Sequence, residues 1–197
     1  MTLQQRRRRA ESLAKTEAAA ESRPKRKVSR QRYAISVVVL AVVALVYAGF
    51  ATGHVGNYEV ISNSMAPTLL KGDRVLVDQR PHRIATPGDV IVLNDPESSG
   101  QLLTKRVAAV EGQKVEIAGD YLVVDGERWA PGELDPIPLS PDRQLRRMTI
   151  GKDEVFVVGD NIDNSEDSLV FGPVPAQSVK GKVLFIYWPP ARAGRVK

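Results

Sequence analysis

Apolar positions along this chain follow two regimes. From Tyr33 to Thr52 they are almost continuous, reading YAISVVVLAVVALVYAGFAT, with no charged residue and no proline. At ~1.5 Å per helical residue such a run spans ~30 Å, the thickness of a bilayer's hydrocarbon core. It predicts a transmembrane helix over residues 33–53. Tyr33 and Tyr47 lie towards its two ends, where amphipathic aromatics favour the membrane interface. After Gly56 the apolar residues break into short β-prone runs separated by Gly, Pro and Asp. The runs at 58–62, 74–78, 89–93, 102–110, 114–118, 121–124, 154–158 and 182–188 predict strands. Asp125-Gly126, between YLVV and ERW, predicts a two-residue hairpin turn. No long helical period follows the anchor. The expected fold is mostly β, a mixed β-sheet domain with hairpins over 54–197 behind one N-terminal helix. Residues 127–150 hold four prolines and several charges, and read as an irregular surface excursion.

Charge sharpens this division. Residues 1–32 carry 11 Lys or Arg against 3 Glu, whereas residues 54–197 carry 17 basic against 20 acidic side chains. The stretch KRKVSRQR directly precedes the apolar run. Positive charge of this kind is retained on the cytoplasmic side, so the N-terminus is expected inside and the body outside. The tail over 1–32 shows no apolar face and is expected to be disordered, facing anionic lipid or solvent. A basic tail on a mildly acidic body argues against one broad nucleic-acid-binding surface. A cleaved signal peptide is the competing reading, because Gly49 and Ala51 would stand at −3 and −1 of a cut after Ala51. The 32-residue leader and the length of the apolar run favour a permanent anchor.

The chain has no cysteine, which excludes disulfides, thiol catalysis and cysteine-ligated metals. Its two histidines, His54 and His82, stand in no metal-ligand spacing and read as exposed loop residues. No metal and no cofactor are expected.

Three segments carry candidate chemistry. In Ser62-Asn63-Ser64-Met65-Ala66-Pro67-Thr68, a serine follows a predicted strand and precedes a proline turn, which can hold its hydroxyl clear of the sheet. In the run 102–110, a period of two puts Lys105 on one face with Leu103 and Val107, and Arg106 on the other with Thr104 and Ala108. A lysine on an apolar face loses stability in its charged form and can become a base able to accept a serine proton. The ordinary alternative is an edge lysine that snorkels to solvent. Finally, the turn formers from Gly159 to Ser168 predict a tight, internally hydrogen-bonded loop without the spacing of a calcium site.

In this order, these segments resemble bacterial type I signal peptidases. Ser64-Met65-Ala66-Pro67-Thr68 is similar to the family's S-M-x-P-T motif, and Lys105-Arg106-Val107 to its K-R element. Lys71-Gly72-Asp73-Arg74-Val75 and Pro87-Gly88-Asp89-Val90 resemble family turns. Gly159-Asp160-Asn161 through Ser168, with Phe171-Gly172-Pro173-Val174, is similar to the G-D-N-x-D-N-S-x-D-S…G-P-V block. Ile162 and Leu169 stand where the family often carries arginine.

The resemblance implies a serine endopeptidase that removes signal peptides from exported preproteins after Ala-x-Ala-like ends. It implies Ser64 as nucleophile and Lys105 as general base. Ser62 and the Ser64 backbone N–H would form an oxyanion hole, Ser165 would orient the lysine, and Asp160 and Asp167 would hold the loop. A substrate strand would lie beside 58–62 and 102–105, with Tyr58 and Val60 walling shallow pockets. The implied setting is a single-pass protein of the bacterial cell membrane, near the secretion translocon, with preproteins and the bilayer as partners and no nucleic acid. A self-cleaving Ser-Lys protease of the SOS-repressor type fits the anchor poorly. A non-catalytic membrane-tethered β-module that binds exported peptides is the alternative from another class.

Overall fold

The computed structural model describes residues 30–80, 85–139, 145 and 147–196. The expectations for residues 1–29 and for His82 fall outside these. Helix α1 runs Arg30–Ala51. Its segment Arg32–Ala51 has a mean hydropathy of 2.6 and none of it is buried in protein. It is the one helix among the described residues that is long and apolar enough to cross a membrane. Thr52 closes it, its N–H and its hydroxyl both donating to the Ala48 carbonyl at 2.9 and 2.8 Å. Gly53 then turns the chain through a left-handed φ of 70°.

The body is built from two sheets. The larger contains β1 (Val55–Glu59), β2 (Arg74–Asp78), β3 (Val90–Asn94), β4 (Leu102–Val110), β9 (Glu154–Val158), β10 (Val174–Pro175), β11 (Val179–Trp188) and β12 (Gly194–Arg195). Its order is β1-β2-β11-β3-β4-β9-β10, with β12 on β11. The smaller has the order β7-β6-β5-β8, from β5 (Lys114–Ala118), β6 (Tyr121–Val124), β7 (Glu127–Arg128) and β8 (Met148–Thr149). Every pairing among the described strands is antiparallel.

Position in the sheet explains the burial patterns. β2 alternates, with Val75 and Val77 buried in the core. β3 lies between β11 and β4, and Val90 to Leu93 are all buried. β4 changes partner along its length. Leu102–Arg106 pairs with β3, whereas Arg106–Val110 pairs with β9 across an irregularity between Val107 and Ala109. Residues 102–105 therefore have a ladder on one edge only, among the described strands.

Two stretches differ from the sequence reading. The first strand is Val55–Glu59 rather than 58–62. Gly56 and Asn57 have weak strand preferences, but the ladder to β2, with Gly56 opposite Val77, overrides them. Val60 instead closes a loop. Its N–H donates to the Asp73 carbonyl, and its carbonyl accepts from Gly72, both at 2.8 Å. The proline-rich segment 127–150 is also not wholly a surface feature. It contains β7 and β8, and Leu139 is buried in an apolar cluster with Leu122 of the smaller sheet and Phe156 of the larger, against which Ile137 and Leu145 pack.

The predicted hairpin turn joins β6 to β7, with Asp125 at φ 51° and Gly126 at φ 90°. The Asp125 carboxylate accepts the Lys114 backbone N–H at 2.7 Å and the Gln113 amide at 2.9 Å. These bonds, the Lys114 one foremost, hold its pKa below the usual carboxylate value. A depressed carboxylate stabilises the fold above its unfolded-state pKa, and the gain is lost as pH falls through the folded value. Asp125→Asn keeps the left-handed turn, so its unfolding free energy is expected to fall less steeply than the parent's below about pH 4. Superimposable acid limbs in chemical denaturation would contradict this.

Candidate active site

One cleft of about 1400 Å³ gathers six of the residues singled out in the sequence, while Asp160 and Asp167 lie outside its lining. Tyr58, Val60, Ser62, Ser64, Lys105 and Ser165 all line it. Ile61, Leu102 and Val170 add exposed apolar surface to its walls.

Ser64 lies on the loop between β1 and β2. The loop packs Met65 and Leu69 into a core shared with Val60, Val75 and Val77, which fixes the chain on either side of the serine. The Ser64 side chain is largely buried, and its hydroxyl is 3.2 Å from that of Ser62. The Ser64 carbonyl accepts the Asn161 backbone N–H at 3.0 Å, and the Asn63 carbonyl accepts the Asn161 side chain at 3.1 Å. The loop after β9 is thus tied to the loop carrying Ser64.

Lys105 comes from the half of β4 whose second edge carries no strand among the described residues. It is 2% exposed, so the snorkelling alternative does not apply. Its Nζ donates to Ser165 Oγ at 2.8 Å, and Ser165 Oγ donates to Asp167 Oδ2 at 2.7 Å. An ionised carboxylate only accepts, so the serine proton points to Asp167 and the serine lone pair faces the lysine. Asp167 also accepts from the Gly159 and Leu169 backbone N–H groups at 2.9 and 3.1 Å. It caps the short helix α2 (Ser168–Phe171) through the Leu169 contact.

Asp160 and Arg106 form a second buried pair. Arg106 donates through Nε to Asp160 Oδ1 at 2.8 Å and through Nη2 to Oδ2 at 2.7 Å. Arg106 also donates to the Gly88 carbonyl at 2.8 Å, and Thr68 donates its hydroxyl to Asp160. The sequence put Arg106 on the less apolar strand face, yet it is 1% exposed because both faces of β4 are covered at this point. Ile162 and Leu169 are buried together in the apolar cluster around Phe156. Sequence reasoning missed the Arg106–Asp160 pair and the tie through Thr68. One of several acidic residues in a loop and one of two adjacent basic residues in a strand give no signal of which pair meets. Among the described residues no three acidic or histidine side chains cluster as metal ligands would.

Residues 30–188 match the family model described as signal peptidase, peptidase S26. This chain belongs to that signal peptidase family. A probable signal peptidase I-1 of Synechocystis sp. is 36% identical over 169 residues, covering 81% of this chain and 85% of the relative. The signal peptidase I of Leptolyngbya laminosa is 33% identical over 144 residues, 68% of this chain and 70% of the relative. That of Mycobacterium tuberculosis is 29% identical over 234 residues, 90% of this chain and 79% of the relative. Membership makes the chain a peptidase of signal-peptide processing, and the apolar helix α1 fits a membrane protein.

In this signal peptidase Gly159 lies where the two site loops come close together. A Cβ built there would lie 2.6 Å from the Ser64 carbonyl oxygen and 2.7 Å from Ser165 Cβ, distances that real side chains do not adopt. Gly159→Ala is expected to push the loops apart and to lower kcat/KM roughly a hundredfold, the scale of a 1 Å misplacement. Steady-state cleavage by the folded variant at the parent's rate would contradict this.

Proposed function

We propose that this protein is a membrane-anchored endopeptidase that removes signal peptides after small residues with a Ser64–Lys105 dyad. The observation that carries the reading is a buried lysine, hydrogen-bonded to Ser165, in the same cleft as Ser62 and Ser64. Burial disfavours the ammonium form. In the neutral amine an N–H serves Ser165, and the lone pair is left for the nucleophile's proton.

Ser64 Oγ attacks the scissile carbonyl carbon while Lys105 Nζ takes its proton. The carbonyl oxygen gains negative charge and accepts hydrogen bonds from the Ser64 N–H and the Ser62 hydroxyl. As the intermediate collapses, the C–N bond breaks and Lys105 returns the proton to the departing amine. Water, deprotonated by the same lysine, then hydrolyses the acyl–Ser64 ester. Ser165 positions the lysine, Asp167 positions Ser165, and Asp160 with Arg106 holds the loop that carries them.

The substrate enters as an extended strand against the edge of 102–105 that no described strand pairs with, and beside 58–62. Tyr58 and Val60 wall the pockets that admit small side chains. The N-terminal basic segment stays cytoplasmic, α1 crosses the bilayer and the body works outside it, near the secretion translocon.

The test is incubation of the full chain in detergent with a preprotein bearing an Ala-x-Ala end, followed by N-terminal sequencing of the product. Cleavage directly after the second alanine is the expected result. A folded, lipid-supplemented protein that binds the signal peptide without cutting it would favour a non-catalytic tether instead.

A further inference from the structure

The loop from Val60 to Asp73 is closed at its ends by the two Val60 backbone bonds and tied on one side by Asn161 and Asp160. Its other side is held by a residue outside the span that matches the family model, Arg192. Arg192 closes the 3₁₀ turn Pro190–Arg192 that follows β11. Its Nε donates to both oxygens of Asp73, at 3.0 and 3.1 Å. Its Nη2 donates to Asp73 Oδ2 at 3.0 Å, to the Thr68 carbonyl at 3.1 Å and to the Pro67 carbonyl at 3.4 Å. Asp73 is 2% exposed and also accepts the Leu70 N–H at 2.9 Å. One guanidinium therefore bridges the carboxylate at the loop's end and two carbonyls in its middle.

The segment that presents Arg192 is itself fixed. β12 pairs with β11 through Phe185↔Arg195 and Ile186↔Gly194, and the Val196 N–H donates to the Leu184 carbonyl at 3.2 Å. The Val196 side chain packs against the cluster containing Val60, Met65 and Leu69. Residues 189–196 and the Ser64 loop thus share one core and one ion pair.

We infer that Arg192 is a positioning residue that sets the Ser64 loop for attack by fixing the Pro67 and Thr68 carbonyls, beyond its ion pair with Asp73. The planar fork of arginine is what this requires. A lysine supplies one point charge, which can pair with Asp73 but cannot span the carboxylate and both carbonyls together. The inference rests on the Ser64 reading above.

The experiment compares kcat, KM and thermal midpoint for the full chain, Arg192→Gln, Arg192→Lys and Ser64→Ala, with a preprotein as substrate. Arg192→Gln is expected to lose roughly tenfold to a hundredfold in kcat, the range of small misplacements, with KM within about twofold of the parent. Arg192→Lys should recover most of the thermal midpoint, through Asp73, while kcat stays low. A merely structural role would let midpoint and kcat recover together, and that outcome overturns the inference, as does a parent-like kcat in Arg192→Lys. The lysine variant keeps the test usable where Arg192→Gln does not fold. An inactive Ser64→Ala beside a parent-like Arg192→Lys removes this inference alone. A fully active Ser64→Ala removes the nucleophile assignment and this inference with it.

Discussion

Replacing Lys105 with methionine is expected to lower the rate of preprotein cleavage roughly a hundredfold to ten-thousandfold, the range of general-base contributions. Methionine matches the lysine stem in length and suits a site that is 2% exposed, so the cleft wall stays packed. Ser165 keeps its bond to Asp167. What disappears is the amine that receives the Ser64 proton. Lys105→Arg separates base from charge. A guanidinium stays protonated at all working pH values, so it preserves the positive charge but cannot accept a proton. Both variants should be folded by circular dichroism and show initial rates reduced on that scale. An arginine variant with near-parent activity would mean that residue 105 acts through charge alone.

Asp160→Ala should cost about 3–5 kcal/mol of unfolding free energy, because it strands a guanidinium inside the protein. The ion pair is sealed, with side-chain exposures of 1% for Arg106 and 0% for Asp160. At roughly 2–4 °C per kcal/mol for a chain of this size, the thermal midpoint drops by about 10 °C. The change also removes the acceptor of the Thr68 hydroxyl, which belongs to the Ser64 loop and keeps the Arg106 Nη2 donor at 3.3 Å, so activity should fall with stability. Adding Arg106→Met removes the orphaned charge and should restore part of the loss. A single-variant cost below about 1 kcal/mol, the value of an exposed pair, would show that water reaches the site.

The parts of this molecule that were legible in the sequence are those governed by local pattern. The continuous apolar run appears as α1. Alternation and turn chemistry place β2, β4, β5, β6 and β9 on the residues expected. The turn at Asp125-Gly126 forms because its left-handed backbone is a local property. β1 was misplaced because its residues are held by pairing to β2 rather than by their own preference. The clusters around Ser64, Lys105 and Ser165 were legible as turn-rich or strand-borne segments whose order along the chain is specific. Their supports were not. Arg106 meets Asp160 across 54 residues, and Arg192 meets Asp73 across 119. Such pairs depend on how strands close the sheet, which no spacing encodes. Gly159 likewise reads as a turn glycine, although the Ser64 carbonyl and Ser165 leave no room for a side chain there.

The dyad depends on Lys105 being neutral when substrate arrives. Direct titration tests this, by recording the ¹³Cε resonance of Lys105 in the full chain across pH, assigned by its absence in Lys105→Met. The mechanism predicts that burial moves the Lys105 midpoint well below the ordinary lysine value, with the exposed lysines as internal references. A Lys105 resonance that titrates together with those lysines would contradict it.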